Sequence, residues 1–401
     1  MNDKIPTPGL KQIPLTGTPS LLRAINDRAA LELLLAHGPL SRTQIGGLTG
    51  LSKPTASQLL ARLESAGLVQ AVGTTAGGPG PNAQLYRVNP AVGYVAGLDV
   101  DTGRVRVAVA DITGAVLAEH TVPTKGWPAA ATVARTAEAV AETVRQAGLP
   151  ADSLREIVIG VPGALDPVTG KLRYASHLPG WHSPRLLAEL EGALGTAVSI
   201  ENDVNLAAVA EQAIGAAQGC ENFVLLWAAE GVGAAIMIAG QLHRGFTGGA
   251  GEVGYMTVPG APVVHNVRRR NSGGFQELVG EEAVLELASE HGLSAPAAEQ
   301  AIELALGTPG EGDHFLETLA ERLAVGLSVI VSVVDPELLV LSGRTPTAGG
   351  ERLRELVQEA LTRVSIPRPE VRCSTVPDSP VVHGALHRAL AAARAAAFTT
   401  H

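Results

Sequence analysis

The sequence predicts an α/β body of two similar halves behind a small N-terminal winged helix-turn-helix head. Three observations lead there. Residues 20–88 read as helix, capped helix, tight turn, capped helix and hairpin, the winged helix-turn-helix order. Residues 93–126 and 222–245 each read as a strand meander with a tight or glycine-rich turn, followed by helical and strand segments, as an internal duplication would give. At 401 residues the chain is also too long for one ordinary core. The expected division is a flexible N-terminus over 1–17, a head over 18–90 and a body over 91–400. The body's lobes span about 91–205 plus the C-terminal helix, and 206–380.

In the head, Leu21, Leu22, Ile25 and Ala29 fall at helical spacing, and "HGPLS" ends that helix. Ser41 with Gln44 forms a capping box that opens a second helix, with Ile45 and Leu48 inside. Ser52 caps a third, with Pro54 in its first turn, where a missing N–H costs nothing. Ala56, Leu59, Leu60 and Leu63 make its buried stripe. Thr55, Gln58 and Arg62 share the opposite face, with Lys53 and Ser57 beside it. "LVQAV" and "AQLYRV" are short strands around a loop over Gly73–Asn82.

The third helix is expected to lie in the major groove of double-stranded DNA. Gln58 suits adenine, and Arg62 or Lys53 suits guanine or phosphate; Arg42, Ser52, Thr55 and Ser57 complete the candidate DNA-contacting set. The charge distribution agrees. The chain carries −9 overall, but eight Lys and Arg against four acids give residues 1–92 a net +4 and leave the rest at −13. A basic head on an acidic body suits a head that meets a polyanion. The same helical period would also serve a dimerisation or peptide-binding module.

The remaining totals exclude other classes. Two cysteines, Cys220 and Cys373, are too few for a disulfide framework and fit a reducing cytosol. The N-terminus lacks the apolar core of a signal peptide, and no apolar run approaches the ~20 residues of a membrane span. Charged residues are 17% and mean hydropathy is +0.20, so apolar material for folding is ample. The expected location is the cytoplasm.

In the body, "IVIGVPGALDPVTG" reads as a buried strand running into a glycine turn. "AVSIENDVNLAAVAEQAIGAA" reads as a strand, a polar tip and a helix. Asn202 and Asp203 therefore stand at the C-terminal end of a strand, where α/β proteins place chemistry. A cleft between the halves is the natural ligand site.

"GLDVDTG", "GVPGALD", "HLPGW", "ENDVNLAA", "GAGEVGY" and "DPELLVLSG" stand in the order found in the ROK family of sugar-responsive repressors and sugar kinases, and the chain resembles that family over roughly residues 18–395. "LSRTQIGGLTGLSKPTASQLLARLESAGLV" is similar to the DNA-binding region of its repressor branch. The resemblance implies an actin/hexokinase-like, two-lobed ribonuclease H-like fold. It also implies a sugar held by Asn202, Asp203, Glu252 and Glu277, with Asp203 at the kinase general-base position. Trp181 after "HLPG" would wall a ring face. His177 stands where the family usually has Asn, and Tyr255 where it has a zinc-ligating His.

The departures from the family pattern bear on function. Kinases of the family resemble D-x-G-G-T in the first phosphate loop; here Asp99-Val100 is followed by Asp101, Thr102 and Gly103. The second loop resembles G-T-G; here it reads Ala229, Glu230, Gly231. Glycines let backbone N–H groups approach phosphate. A carboxylate ~4 Å from one unit of phosphate charge costs about 4 kcal/mol at an effective dielectric of 20. The family's zinc ligands map to Tyr255, Arg268, Arg270 and Phe275, none of them a plausible ligand.

The resulting expectation is a transcriptional regulator of carbohydrate metabolism, a repressor by default. It would have a sugar effector, no kinase activity, no metal and no cofactor. It would bind an inverted-repeat operator as a homodimer or homotetramer. The alternatives are a sugar kinase with a DNA-binding head, and a repressor whose body is a ligand-free dimerisation scaffold.

Overall fold

The structure, a computed structural model, describes residues 19–74, 83–166, 169–173, 178, 180–265 and 273–398. Backbone contacts divide the chain into two units: residues 1–92 with 394–401, and residues 93–393.

The first unit contains α1 (Pro19–His37), β1 (Leu40–Ser41), α2 (Arg42–Thr49), α3 (Lys53–Ser65), β2 (Val69–Thr74) and β3 (Gln84–Val88). Both helix starts read from the sequence are built as expected. Ser41 and Gln44 exchange the two bonds of a capping box, and Ser52 Oγ accepts from the Thr55 N–H. Between α2 and α3 the chain turns at Gly50, which takes φ 70. Ala56, Leu59, Leu60 and Leu63 are buried together with Ile45, Ala30, Leu31 and Leu34.

Two details differ from the sequence reading. Leu21, Leu22 and Ile25 lie on α1 but are each more than half exposed, because the buried face of that helix begins at Asp27 and Ala30. Leu48 is likewise exposed, leaving Ile45 as the buried anchor of α2. The wing is a three-stranded antiparallel sheet in the order β1-β3-β2, since Leu40 and Ser41 add a short strand opposite Tyr86 and Leu85. Residues 75–82 of the hairpin loop fall outside the described residues.

The second unit opens with β4 (Tyr94–Val100), β5 (Arg104–Asp111), β6 (Val116–Pro123), α4 (Thr132–Gln146) and β7 (Leu154–Val161). It continues through a short ladder of β8 (Ala164–Leu165) and β9 (Leu172–Arg173), then α5 (Leu186–Leu194), β10 (Ala197–Asn202) and α6 (Asp203–Ile214). Next come β11 (Phe223–Ala228), β12 (Val232–Ile238), β13 (Gln241–Leu242), α7 (Gln276–Val279), α8 (Glu281–Glu290), α9 (Ala298–Leu306) and α10 (Glu311–Val334). The last elements are β14 (Leu338–Ser342), α11 (Arg344–Val364), β15 (Glu370–Cys373) and α12 (Pro380–Ala397).

The two halves repeat one topology. The first sheet runs β10-β7-β4-β5-β6 and the second β13-β12-β11-β14-β15. In each, the first three strands form an antiparallel meander and the next two join parallel to the first. The parallel strands β11 and β14, and β7 from Ile157 onward, are almost continuously apolar, as strands buried on both faces must be. Among the described residues no helix is long and apolar enough to cross a membrane.

α12 returns to the first sheet. An added Cβ at Gly97 of β4 would lie 2.7 Å from the Leu386 backbone nitrogen, and one at Gly160 of β7 would lie 2.4 Å from Val381. One at Gly384 would lie 1.9 Å from the Leu206 carbonyl oxygen of α6. Gly97 and Gly384 thus let a helix approach a sheet and a second helix at backbone range, and Gly160 leaves room for the Val381 side chain. Gly384→Ala is predicted to destabilise the protein by about 1–3 kcal/mol, because no side-chain rotation relieves a clash with a backbone oxygen. Urea unfolding measures it.

Candidate functional site

β10 ends at Asn202, and the next residue is the first of α6. Asn202 caps that helix: its Oδ1 accepts from the Asn205 N–H at 3.0 Å, and its Nδ2 donates to the Gly163 carbonyl at 3.2 Å. The cap therefore also holds the glycine turn after β7, where Gly163 takes φ 114. Asp203 Oδ1 accepts from Asn202 Nδ2 at 3.0 Å and from the Val204 N–H at 2.8 Å.

The electrostatics of Asp203 set opposing effects against each other. Its own backbone bond and its place at a helix N-terminus favour the carboxylate. Burial opposes ionisation more strongly, and the negative charges of Asp99 and Glu252 add to it. Together they push the carboxyl from 3.8 up to about 7. The structure thus brings Asp203, Asp99 at the end of β4 and Glu252 of the second half within electrostatic reach. Glu252 is itself pushed up by burial. It follows Gly251, whose backbone is zipped onto β12: the Ala234 N–H donates to the Gly251 carbonyl at 2.8 Å, and a Cβ at 251 would lie 1.9 Å from the Ala234 oxygen. Asp99 is pushed up by burial, with Arg106 opposing: the guanidinium of this cross-strand partner bonds its carboxylate. A site of this kind offers sugar hydroxyls paired acceptors, and near neutral pH Asp203 is able to accept or donate.

In the head, Arg42, Lys53, Thr55 and Gln58 are exposed and Ser57 is half-buried. Ser52 Oγ and Thr55 Oγ1 share a 2.8 Å hydrogen bond, and Ser57 Oγ donates to the Lys53 carbonyl. Arg62 differs from the sequence reading. Its guanidinium donates to Asp27 Oδ1 at 2.6 Å, and Asp27 is almost fully buried in α1. Arg62 therefore ties α3 to α1, and its charge is met within the protein.

Residues 95–392 match the model of the ROK family. The chain belongs to the ROK family. Residues 25–77 match a model of the MarR family, which places a winged-helix segment before the ROK body. The putative xylose repressor of Caldicellulosiruptor sp. (strain Rt8B.4) is 26% identical over 85% of this chain and 88% of its own. Among solved structures, a ROK family transcriptional regulator described as a homologue of the E. coli MLC protein superposes with TM-score 0.75 over 94% of this chain and 99% of its own, at 19% identity. The ROK hexokinase of Thermus thermophilus superposes with TM-score 0.62 over 74% of this chain and 97% of its own, at 27% identity. The body thus has the actin/hexokinase-like fold that the sequence motifs implied.

The ROK phosphate-loop positions are engaged from within. Asp101 Oδ1 accepts from the Gly103 and Arg104 N–H groups at 2.7 and 2.8 Å. In the second loop Glu230 bonds Arg344 at 3.0 Å, so its charge is partly balanced rather than bare. At the ROK zinc-loop positions, Phe275 is fully buried in the second core, its ring against α10, where a Cβ at Gly326 would lie 2.2 Å from it. The Phe275 N–H donates to the Met256 carbonyl, and the Gly274 N–H to that of Pro262. Backbone bonds and an aromatic plug therefore close the described ends of the segment. Tyr255 is half-buried in a short helical turn, and Glu277 accepts from the Gly273 N–H at 3.3 Å. His177, Arg268 and Arg270 lie outside the described residues. Trp181 is enclosed in the first lobe's core, only 2% exposed, so packing uses its indole and leaves next to none for a ring face. Among the described residues no group of three His, Cys, Asp or Glu side chains is placed to hold a metal.

Sequence reasoning missed Asp99 as a neighbour of Asp203, and missed Glu201, which Arg244 and Arg388 bond from far along the chain. "ENDVNLAA" displayed Glu201, but no local spacing announces its partners.

The proton on Asp203 gives a signed pH effect. The native state holds it up to about pH 7 and the unfolded chain releases it near 3.8, so this group's contribution to stability declines as pH rises between those values. Asp203→Asn escapes that decline. Thermal unfolding at pH 4, 6 and 8 is predicted to show the variant gaining steadily on the wild type; a constant difference would contradict the assignment.

Proposed function

We propose that this protein is a cytoplasmic, sequence-specific transcriptional repressor of carbohydrate metabolism. It binds operator DNA through α3 and a sugar effector through Asn202, Asp203 and Glu252, with Tyr255 and Glu277 bordering the site. The observation that carries the reading is the union in one chain of a doubly capped winged-helix head and a cluster of carboxyls, Asp99, Asp203 and Glu252, brought within electrostatic reach of one another. The similarity to a xylose repressor supports it. A symmetric dimer on an inverted repeat is the arrangement such heads favour.

The phosphate-loop geometry argues against phosphoryl transfer. The N–H groups of Gly103 and Arg104 already donate to Asp101, and an ATP phosphate would have to displace that carboxylate while adding its own negative charge. Asp203, pushed up to about 7, is a feature that a sugar kinase would also use, as a general base. The two readings separate in one experiment. Purified protein is expected to show sugar-dependent thermal stabilisation, lost in Asp203→Ala, with no sugar-dependent ADP release. ADP release would establish the kinase instead. The absence of any shift with mono- or oligosaccharides at millimolar concentration would favour a scaffold.

The DNA face is tested by sorting its residues. Gln58→Ala is expected to relax discrimination at one base pair, by about 1–3 kcal/mol. Lys53→Ala is expected to weaken all sequences alike and to reduce the salt slope by about 1. Binding titrations against matched and mismatched operators at several salt concentrations distinguish these outcomes.

A further inference from the structure

The two acids of α1 are used differently. Glu32 pairs with Arg28 on the exposed surface, at 2.8 Å. Asp27 turns inward, on the helix face that buries Ala30, Leu31 and Leu34, and its side chain is only 4% exposed. There its carboxylate accepts from Arg62 Nη2 at 2.6 Å. That arginine stands in the last turn of α3, on the stripe that holds Thr55 and Gln58.

As a strut the pair is a poor choice. Apolar side chains of similar volume would hold α1 to α3 at least as well, without taking a carboxylate out of water. The pair does what an apolar contact does not: it fixes the orientation of a guanidinium. A free arginine gives up many rotamers when it binds, and one already held by part of its planar fork gives up fewer. Arg62 keeps 40% of its side chain exposed, so the held fork remains open to a partner. The bond to Asp27 uses one nitrogen. The other N–H groups of the fork suffice for paired bonds to O6 and N7 of a guanine. From Thr55 to Arg62 is two helical turns, about 10 Å, so one stripe presents a hydroxyl, an amide and a fork in line. Lys53 contrasts with it. It is exposed at the first turn of α3, a compact charge on a flexible stem that suits phosphate.

We propose that Asp27 is a positioning residue for operator recognition, holding Arg62 so that its guanidinium reads a guanine edge instead of settling on a phosphate. The buried carboxylate also draws off part of the guanidinium's charge. That weakens its pull on the phosphate backbone, which favours every sequence alike, and leaves the directional base contact. The operator gains over random DNA. The inference rests on the reading of α3 as the DNA-contacting helix.

The test uses the full-length protein. The wild type first selects an operator from a random-sequence pool, and each base pair of that operator is then substituted in turn. Arg62→Met is expected to lose about tenfold of discrimination at one G·C pair. Asp27→Leu, similar in shape and uncharged, is expected to lose most of the discrimination at that same pair. Its affinity for random-sequence DNA is expected to rise, and its plot of log affinity against log salt to steepen by about 1, as a freed guanidinium finds a phosphate. The double variant is expected to match Arg62→Met at the G·C pair, because two residues acting as a unit are not additive. Arg62→Lys keeps the charge without the fork. It is expected to lose the same discrimination, and it carries the test if the leucine variant does not fold.

A strut alone would shift thermal unfolding and weaken all operators by one factor, with discrimination intact in Asp27→Leu; that result overturns the proposal. Gln58→Ala separates the remaining failures. Discrimination lost there but intact in both Arg62 variants leaves α3 a reading helix and overturns the role of Asp27. A wild type that selects no sequence removes the DNA reading itself, and this inference with it.

Discussion

Withdrawing the carboxylates of Glu201 and Asp203 from water at the start of α6 is the constraint around which the body is arranged. Each adjacent acid is handled differently. Glu201 receives two guanidinium groups and two N–H donors, a nearly complete replacement for its hydration. Asp203 receives an amide, a backbone N–H and a helix N-terminus, but Asp99 and Glu252 add negative charge. The first is a structural junction between β10, the loop after β13 and α12. The second is a carboxyl left near its protonation midpoint, and among the described residues the hydrogen bonds it receives fall on Oδ1. Asn202 alone separates the two roles, at the point where the strand passes into the helix.

Close backbone approach is the second theme. The chain has 46 glycines and only five phenylalanines. Its halves are joined by helices that lie directly on strands and on each other, as α12 does at Gly97 and Gly160. Where a bulky ring is used, it replaces something specific. Phe275 fills the second core against Gly326, at a position where the family resemblance puts a metal ligand. Dispersion contacts and backbone bonds hold the described part of that segment.

Local chemistry was the legible part of the sequence. Ser41 with Gln44, Ser52 with Pro54, and the stripe from Ala56 to Leu63 are set by neighbours three or four residues away, and all stand in the structure as read. The duplication was legible because two meanders repeat, and their sheets share one strand order. Asn202 and Asp203 were legible because a strand ends where a helix begins. Long-range pairing was not. Arg62 reads as part of an exposed face, and nothing local announces its bond to Asp27, thirty-five residues earlier. Trp181 follows a motif that suggests a ligand wall, yet the core encloses it. Leu21 and Leu22 obey helical spacing without being buried, because periodicity reports a face and not what covers it.

If cleft and head are coupled, the coupling is reciprocal: whatever factor sugar applies to operator affinity, operator must apply to sugar affinity. The most direct measurement is therefore sugar affinity by calorimetry on the free protein and on the protein saturated with operator DNA. The account predicts two different dissociation constants, in the same ratio as the operator affinities with and without sugar. Equal sugar affinities in the two states would show that the body and the head act independently and would contradict it.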